Sequence, residues 1–392
     1  MSGGVAFPQV AEEGWRESEY ACDRPAVTAN PAARADLWLH GGMDLLVFST
    51  VPDPVDLPGP VEVFTHPRDR AVFVEDALRD LAEAGLRVTG PDVTQVHPLA
   101  RHISRSQVVY RLQRDDSYTT RQLIEFADWG RCCVFRVGNG PFRNLDGENL
   151  AAPGKGVKVP VHVDAYRRRQ KNLRTLRQAG LELDEQIPVI PAEEEVRLRD
   201  HAQVVYRLGA LALVVDAARH VREGSLPQAD DLVAAQELVA SSLTARERGF
   251  LADVGAARAA AFDDGGRVEF PAGLRAEAEL FARSAWAVEA LAWAAQLVDL
   301  PPQRIRAWDF DARAWEAPTP ETREGETTVT LLARSAGLRG VTQLLEAFDL
   351  VHILHHGVDS DDPGAVVAEQ WTKALAWVIA PDSAWGEAER LL

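Results

Sequence analysis

Cysteine is scarce in this chain of 392 residues, with only Cys22, Cys132 and Cys133 present. An odd count, an adjacent pair and no Cys-x-x-Cys exclude a disulfide framework and fit a reducing cytosol. Long apolar runs are also missing. The most apolar stretch, LGALALVV at Leu208–Val215, is far shorter than the about 20 residues that cross a bilayer. The opening MSGGVAFPQVAEEGW has neither a basic region nor an apolar one, so no signal peptide is expected. Positive charge is outnumbered, with 42 Lys and Arg against 59 Asp and Glu. The net charge of −17 repels phosphate backbones, so nucleic acid is not an expected partner. No short-period repeat occurs, which disfavours a solenoid.

What is present is an ordinary globular composition, 46% hydrophobic and 26% charged. It can build sizeable cores, and the length suits two or three domains of about 100–200 residues. Residues 1–37 lack periodicity and read as loosely ordered. Residues 38–140 read as a small α/β domain. MDLLVFST, VEVFTH, LRVTG, SQVVYRLQ and CCVFRV have the β-branched and aromatic content of strands. RDRAVFVEDALRDLAEAG places Val72, Val74, Ala77, Leu78 and Leu81 at helical spacing, with Gly85 as its stop. TTRQLIEFADWG reads as a second helix.

Residues 141–160 are rich in Gly and Pro and read as a linker. Within them GENLAAPGKG fails as a phosphate loop. The spacing from Gly147 to Lys155 is wrong, and Gly156 stands where Ser or Thr is needed. Residues 161–392 read as an all-α, bundle-like domain, so the fold class is α+β overall. DHAQVVYRLGALALVVDAARHV is apolar almost all round and predicts a central, buried helix. Thr244 and Glu247 have the spacing of a capping box. GLRAEAELFARSAWAVEALAWAAQLVDLP predicts one long helix. The stretch ending FDLVHILHHG predicts one or two, broken near Gly337 or Gly340.

A series of short spacings in this helical half resembles domain of unknown function 4272, a family found widely in bacteria. RDHAQVVYRLGAL keeps the family's Arg199, Val204, Arg207, Ala210 and Leu211, with Gln203 where Glu is usual. LTARERGFL, WAVEALAWAAQLVDLP, DLVHILHHGV and VVAEQWTKALAWVI follow in the family's order. Asp349, His355, Glu369 and Trp377 fall on matching positions, and the resemblance covers about residues 165–385. It implies an architecture and no activity. It also implies aromatic residues where His352 and His356 stand.

Three constellations carry chemistry. Asp349, His352 and His356 share one helical face and have the residue types of a metal site. The resemblance implies that only the neighbouring His355 is a family histidine, so no metal is expected. Arg207, Glu289, Asp349, His355 and Glu369 are ionisable residues set in apolar helices. Burial demands that they pair, and Arg207 is expected to meet Glu289 or Glu369. They form either a network fixing helix register or a polar ligand pocket. Arg167, Arg168, Arg169, Lys171, Arg174 and Arg177 form a basic stripe, read as a solvated face partly neutralised by Glu193–Glu195. Trp308, Phe310 and Trp315 lie in a polar stretch expected to fold back over the helices.

No Gly-x-Ser-x-Gly and no nucleophile–base pair is legible. The expectation is a cytoplasmic, non-enzymatic binding or interaction protein, without cofactor. Its partner is another protein or a small molecule, not a membrane. The alternative is an enzyme or ligand-binding protein using a cleft around Glu289, His355 and Glu369.

Overall fold

The computed structural model describes residues 44–387, apart from 55–56, 58–59, 86–97, 113–132, 146, 152–158, 179, 182, 184–186, 227–236, 238, 264–269, 299–333 and 358–362. Several expectations lie outside the described residues. They concern residues 1–37, Cys22, Cys132, the strand at 86–90, the helix at 119–130 and the aromatic stretch around Trp308.

Among the described residues, the N-terminal domain forms a five-stranded sheet. Its strands are β1 (Leu45–Ser49), β2 (Val61–Phe64), β3 (Val108–Leu112), β4 (Cys133–Val137) and β5 (Phe142–Arg143), in the order β2-β3-β1-β4-β5. Every pairing is antiparallel. Strand periodicity does not encode the direction of a partner, so the expected α/β domain is an antiparallel sheet with helices. The period-2 alternation is strict. Leu45, Val47, Tyr110, Cys133 and Phe135 are buried in the cluster on one face. Phe48, Val109 and Val134 are buried on the other, against helices α1 (Pro67–Glu83) and α2 (Pro98–Ser104).

Helix α1 starts with Pro67 behind His66, whose Nδ1 accepts the Arg68 N–H, and ends before Gly85 at φ +83°. Ala77 and Leu81 are buried and Val74 and Leu78 pack beside them. Val72 faces solvent, and Phe73 packs in its stead. The sheet domain also reaches into the expected linker. Phe142 and Leu150 join the helix-covered face and Leu145 the other. Gly147 makes a turn there: at φ +80° it donates its N–H to Asn144 O at 3.0 Å.

The C-terminal domain is helical. It contains α3 (Val163–Gln178), α4 (His201–Glu223), α5 (Ala245–Asp263), α6 (Ala272–Arg283), α7 (Ala285–Ala294), α8 (Val341–Gly357) and α9 (Pro363–Ile379). A single 3-10 turn, Glu193–Glu195, precedes α4. Asp200 caps α4 by accepting the N–H groups of Ala202 and Gln203, and Gly224 ends it at φ +68°. Its all-round apolarity has a purpose. Val204, Leu208, Leu211 and Val215 enter a core shared with α3, α7, α8 and α9. Ala210, Val214, Ala217 and Val221 enter a second core with α5 and α6. The long helix expected after Gly273 is two, since Ser284 N–H bonds Phe281 O at 2.9 Å and tightens the turn between them. Helix α8 begins directly after Gly340.

Two helix C-termini are closed by arginines. Arg199 donates to Trp377 O at 3.0 Å, Ala380 O at 2.7 Å and Ser383 O at 2.8 Å, and lies 3.9 Å over the Trp377 ring. Arg339 donates to Trp293 O at 2.8 Å and Val298 O at 3.1 Å and lies over Trp293. Each cation satisfies orphan carbonyls and opposes the negative end of the helix. No described helix is long and apolar enough to cross a membrane.

Candidate functional site

Arg207 is 2% exposed on α4 and cannot shed its proton. Its Nη1 and Nη2 donate to the two carboxylate oxygens of Glu247 at 2.8 and 2.6 Å, and Nη1 also donates to Ser242 O. Its guanidinium lies 4.2 Å over Trp385. The partner expected at Glu289 or Glu369 is thus replaced by Glu247. Glu247 is held by its own capping box: Thr244 N–H donates to it at 2.8 Å, and its N–H donates to Thr244 Oγ1 at 3.3 Å. Burial pushes the Glu247 carboxyl up, but Arg207 and Thr244 outweigh it and hold it below the usual value. Glu289 is buried at 3% exposure within α7, whereas Glu369 is exposed on α9. His355 is half-buried; burial lowers its pKa and Glu369 opposes the shift.

Asp349 is fully buried on α8. Arg169 Nε donates to its Oδ1 at 2.9 Å, and Asn172 Nδ2 donates to Oδ2 at 2.9 Å. Arg169 also donates to Ile187 O and Pro188 O. Arg168 donates through Nη2 to Ile190 O and Pro191 O. The basic stripe is therefore only partly solvated. Arg167, Lys171, Arg174 and Arg177 are exposed, while Arg168 and Arg169 turn inward.

The inward side of α3 meets the sheet domain. Thr50, just after β1, donates its hydroxyl to Glu195 Oε1 in the 3-10 turn. Glu195 Oε2 accepts Ala192 N–H at 2.7 Å. Helix α2 brings Arg101, His102 and Arg105 to the same place. Glu195 attracts Arg105 and His102, and also Arg168. Arg101 repels both His352 and His356 on α8, as does Arg169. Four guanidinium groups, Arg101, Arg105, Arg168 and Arg169, thus share a junction with two buried carboxylates, Glu195 and Asp349, and Arg168 also feels the exposed Glu193.

Both carboxylates are already engaged, and several buried nitrogens are not. Buried Nε and Nη1 of Arg101, Nε and Nη1 of Arg105, Nε of Arg168, Nδ1 of His102 and both ring nitrogens of His352 have no hydrogen-bond partner. Arg101 is 9% exposed and His352 3%. Burial, with repulsion from Arg105, pushes Arg101 down to about 10. Burial, His355, Arg101 and Arg169 push His356 down to about 4. His352 falls well below its ordinary value for the same reasons, burial first and His356 next. The Arg101 and His352 shifts follow from a cation taken out of water into positive surroundings, whereas His356 keeps an exposed side.

The three histidines of α8 do not converge as ligands. The His352 and His356 rings meet edge-on with centroids 4.6 Å apart, and His355 lies 4.9 Å from His356. Asp349 is turned to Arg169 and Asn172. Among the described residues no group of three or more His, Cys, Asp or Glu is arranged to hold a metal.

The family described as Domain of unknown function (DUF4272) matches residues 167–388. The chain belongs to this family. No curated protein and no solved structure matches the chain. The DUF4272 match begins within α3, so Arg168, Arg169, Glu195, Asp349, His352 and His356 lie inside it. Arg101, His102 and Arg105 lie outside it, on the sheet domain. The junction is built from both.

Sequence reasoning missed Arg101 and Arg105. Their only signal is Arg-x-x-x-Arg after Pro98, a spacing that puts both on one helical face. Nothing local marks that face as buried. It misplaced Arg169 and Glu195 for the same reason: runs of like charge read as solvated faces.

Proposed function

We propose that this is a cytoplasmic, non-enzymatic binding protein whose small anionic ligand sits at the junction of the sheet domain and the DUF4272 domain. The observation that carries the reading is the set of buried, unpartnered nitrogens on Arg101, Arg105 and His352. A buried guanidinium without a counter-charge is strongly unfavourable, and an anion relieves it. Because Arg101 and His352 are nearly inaccessible and the unpartnered Arg105 nitrogens are buried, the occupant is a small molecule and not a protein surface. The titratable groups favour binding over acid–base catalysis. His356 is neutral near pH 7 with a pKa of about 4, far from that of an effective general base there. Both carboxylates are committed to structural partners. The alternative cleft around Glu289, His355 and Glu369 has weaker support, since Glu289 is buried within α7 and Glu369 is at the surface.

The test is native mass spectrometry of the full chain beside Arg101→Gln and Arg105→Gln. The reading expects a small anionic mass that accompanies the wild type through purification and is lost from both variants. A bound mass retained by both variants contradicts the location. A wild-type chain that purifies empty and takes up no anion contradicts the function.

A further inference from the structure

The charge and the donors of the junction constrain what it binds. Asp349 is consumed by Arg169 and Asn172. Glu195 is shared among Thr50, the Ala192 N–H, Arg105 and Arg168. Four guanidinium groups against two buried carboxylates, with the exposed Glu193 beside Arg168 screened by solvent, leave a surplus of two positive charges inside the junction, with the histidines neutral. A monoanion removes half of that surplus and a dianion removes all of it. The donor inventory agrees. Unpartnered nitrogens lie on Arg101, Arg105, Arg168 and His352. A carboxylate offers two oxygens with about four lone-pair sites, whereas a tetrahedral oxyanion offers three or four oxygens facing different directions. The donors come from both domains and from three separate helices, or their immediate ends: α2 and Arg105 after it, α3, and α8. That spread suits a tetrahedral acceptor better than a flat one, and arginine is the residue suited to it.

We propose that the junction holds a doubly charged tetrahedral oxyanion, inorganic phosphate or the phosphate of a small phosphomonoester, between Arg101, Arg105 and His352. The proposal rests on the junction being the binding site. The anion sits between the sheet domain and the DUF4272 domain and neutralises cations contributed by both, so it acts as a bridge that tightens their docking. Without the anion, Arg101 remains opposed by Arg105 and opposes the α8 histidines.

Thermal unfolding and calorimetry of the full chain test this with four probes at matched ionic strength: inorganic phosphate, methyl phosphate, acetate and chloride. Saturable stabilisation by phosphate or methyl phosphate is expected, with neither acetate nor chloride reproducing it. Tighter binding of methyl phosphate identifies an organic phosphomonoester as the source, and tighter binding of inorganic phosphate identifies the free ion. Arg101→Gln and Arg105→Gln should each weaken phosphate binding at least about tenfold, about 1.4 kcal/mol. The empty Arg101→Gln protein should melt no lower than the empty wild type, because the substitution removes an unpaired buried charge. A purely structural arginine gives the opposite result, a lower melting temperature with phosphate binding intact, and that overturns the proposal. Saturable binding of acetate equal to that of phosphate, lost in Arg101→Gln, overturns the dianion while leaving the junction as the site. No saturable binding of any probe, with no small anionic mass on the purified chain, overturns both.

Discussion

Arg207 and Glu247 show how one residue's environment decides its worth. The pair is doubly hydrogen-bonded, side-chain exposure is 2% and 4%, and the arginine stacks on Trp385. Removing one member of a buried pair leaves the other uncompensated, at about 3–5 kcal/mol, against about 0–1 kcal/mol for a surface pair. Arg207→Met should therefore destabilise the protein far more than loss of the half-exposed Arg222–Glu279 pair. Denaturant titration of Arg207→Met, Glu247→Gln and the double variant should show strong coupling, and additive small losses would contradict the pairing. The capping box behind Glu247 was readable because Thr244 and Glu247 are three residues apart. The partner of Arg207 was not, because 40 residues of chain separate it from Glu247 and only tertiary packing brings them together.

The histidines give a second residue-scale prediction. His102 and His356 are pushed down to about 4, chiefly by burial, and His352 also falls well below 6.5. The folded protein therefore binds fewer protons than the unfolded chain between about pH 4 and 6.5. The stability that neutral burial contributes is complete above about pH 6.5 and is lost as pH falls toward 4. The groups facing His352 and His356 are Arg101 from α2, Arg169 from α3 and His355 from α8, with Glu369 from α9 facing His355. His352→Phe should narrow the stability difference between pH 7.5 and pH 5, measured by urea unfolding. An unchanged difference would mean that His352 is not neutral and buried.

At the scale of elements, the helical half was largely legible and the sheet only partly so. Caps and periodicity are local, which is why α1, α4 and the start of α8 after Gly340 could be placed. The antiparallel order β2-β3-β1-β4-β5 could not, because β1 alternates in the same way whichever direction β3 and β4 run. Phe142, Leu145 and Leu150 were hidden in a Gly- and Pro-rich stretch whose composition suggests a linker. Arg199 illustrates an element-level bond that spacing does not reveal. It closes the C-terminus of α9 through three carbonyls some 180 residues distant. Hydrogen bonds to a charged group contribute about 1.5–3 kcal/mol each, net of the bonds to water that they replace. Arg199→Ala should cost at least about 2 kcal/mol and speed amide exchange at the end of α9, while leaving α5 unaffected. Uniform exchange across all helices would show that Arg199 acts on no particular element.

At the scale of the molecule, polar contacts join the two halves, and no apolar cluster among the described residues spans both. Thr50 reaches Glu195, and Arg101, His102 and Arg105 face Arg168, Arg169 and the histidines of α8. Such a junction responds to charge. Thr50→Val should loosen α2 and the Glu193–Glu195 turn together, seen as faster hydrogen exchange in both, with the centre of α4 unchanged. Loosening of β1 alone would mean that the hydroxyl does not couple the domains. This site was not legible from either half of the sequence. Each arginine in it has the pattern of a solvated residue, and burial comes only when one domain closes on the other.

The most direct measurement is anomalous diffraction from crystals of the full chain soaked with selenate, a tetrahedral dianion that can be located without prior assumptions. The account predicts its strongest site at hydrogen-bonding distance, about 3 Å, from Arg101 and Arg105 and beside His352. A junction left empty while selenate occupies only exposed arginines and lysines would contradict it.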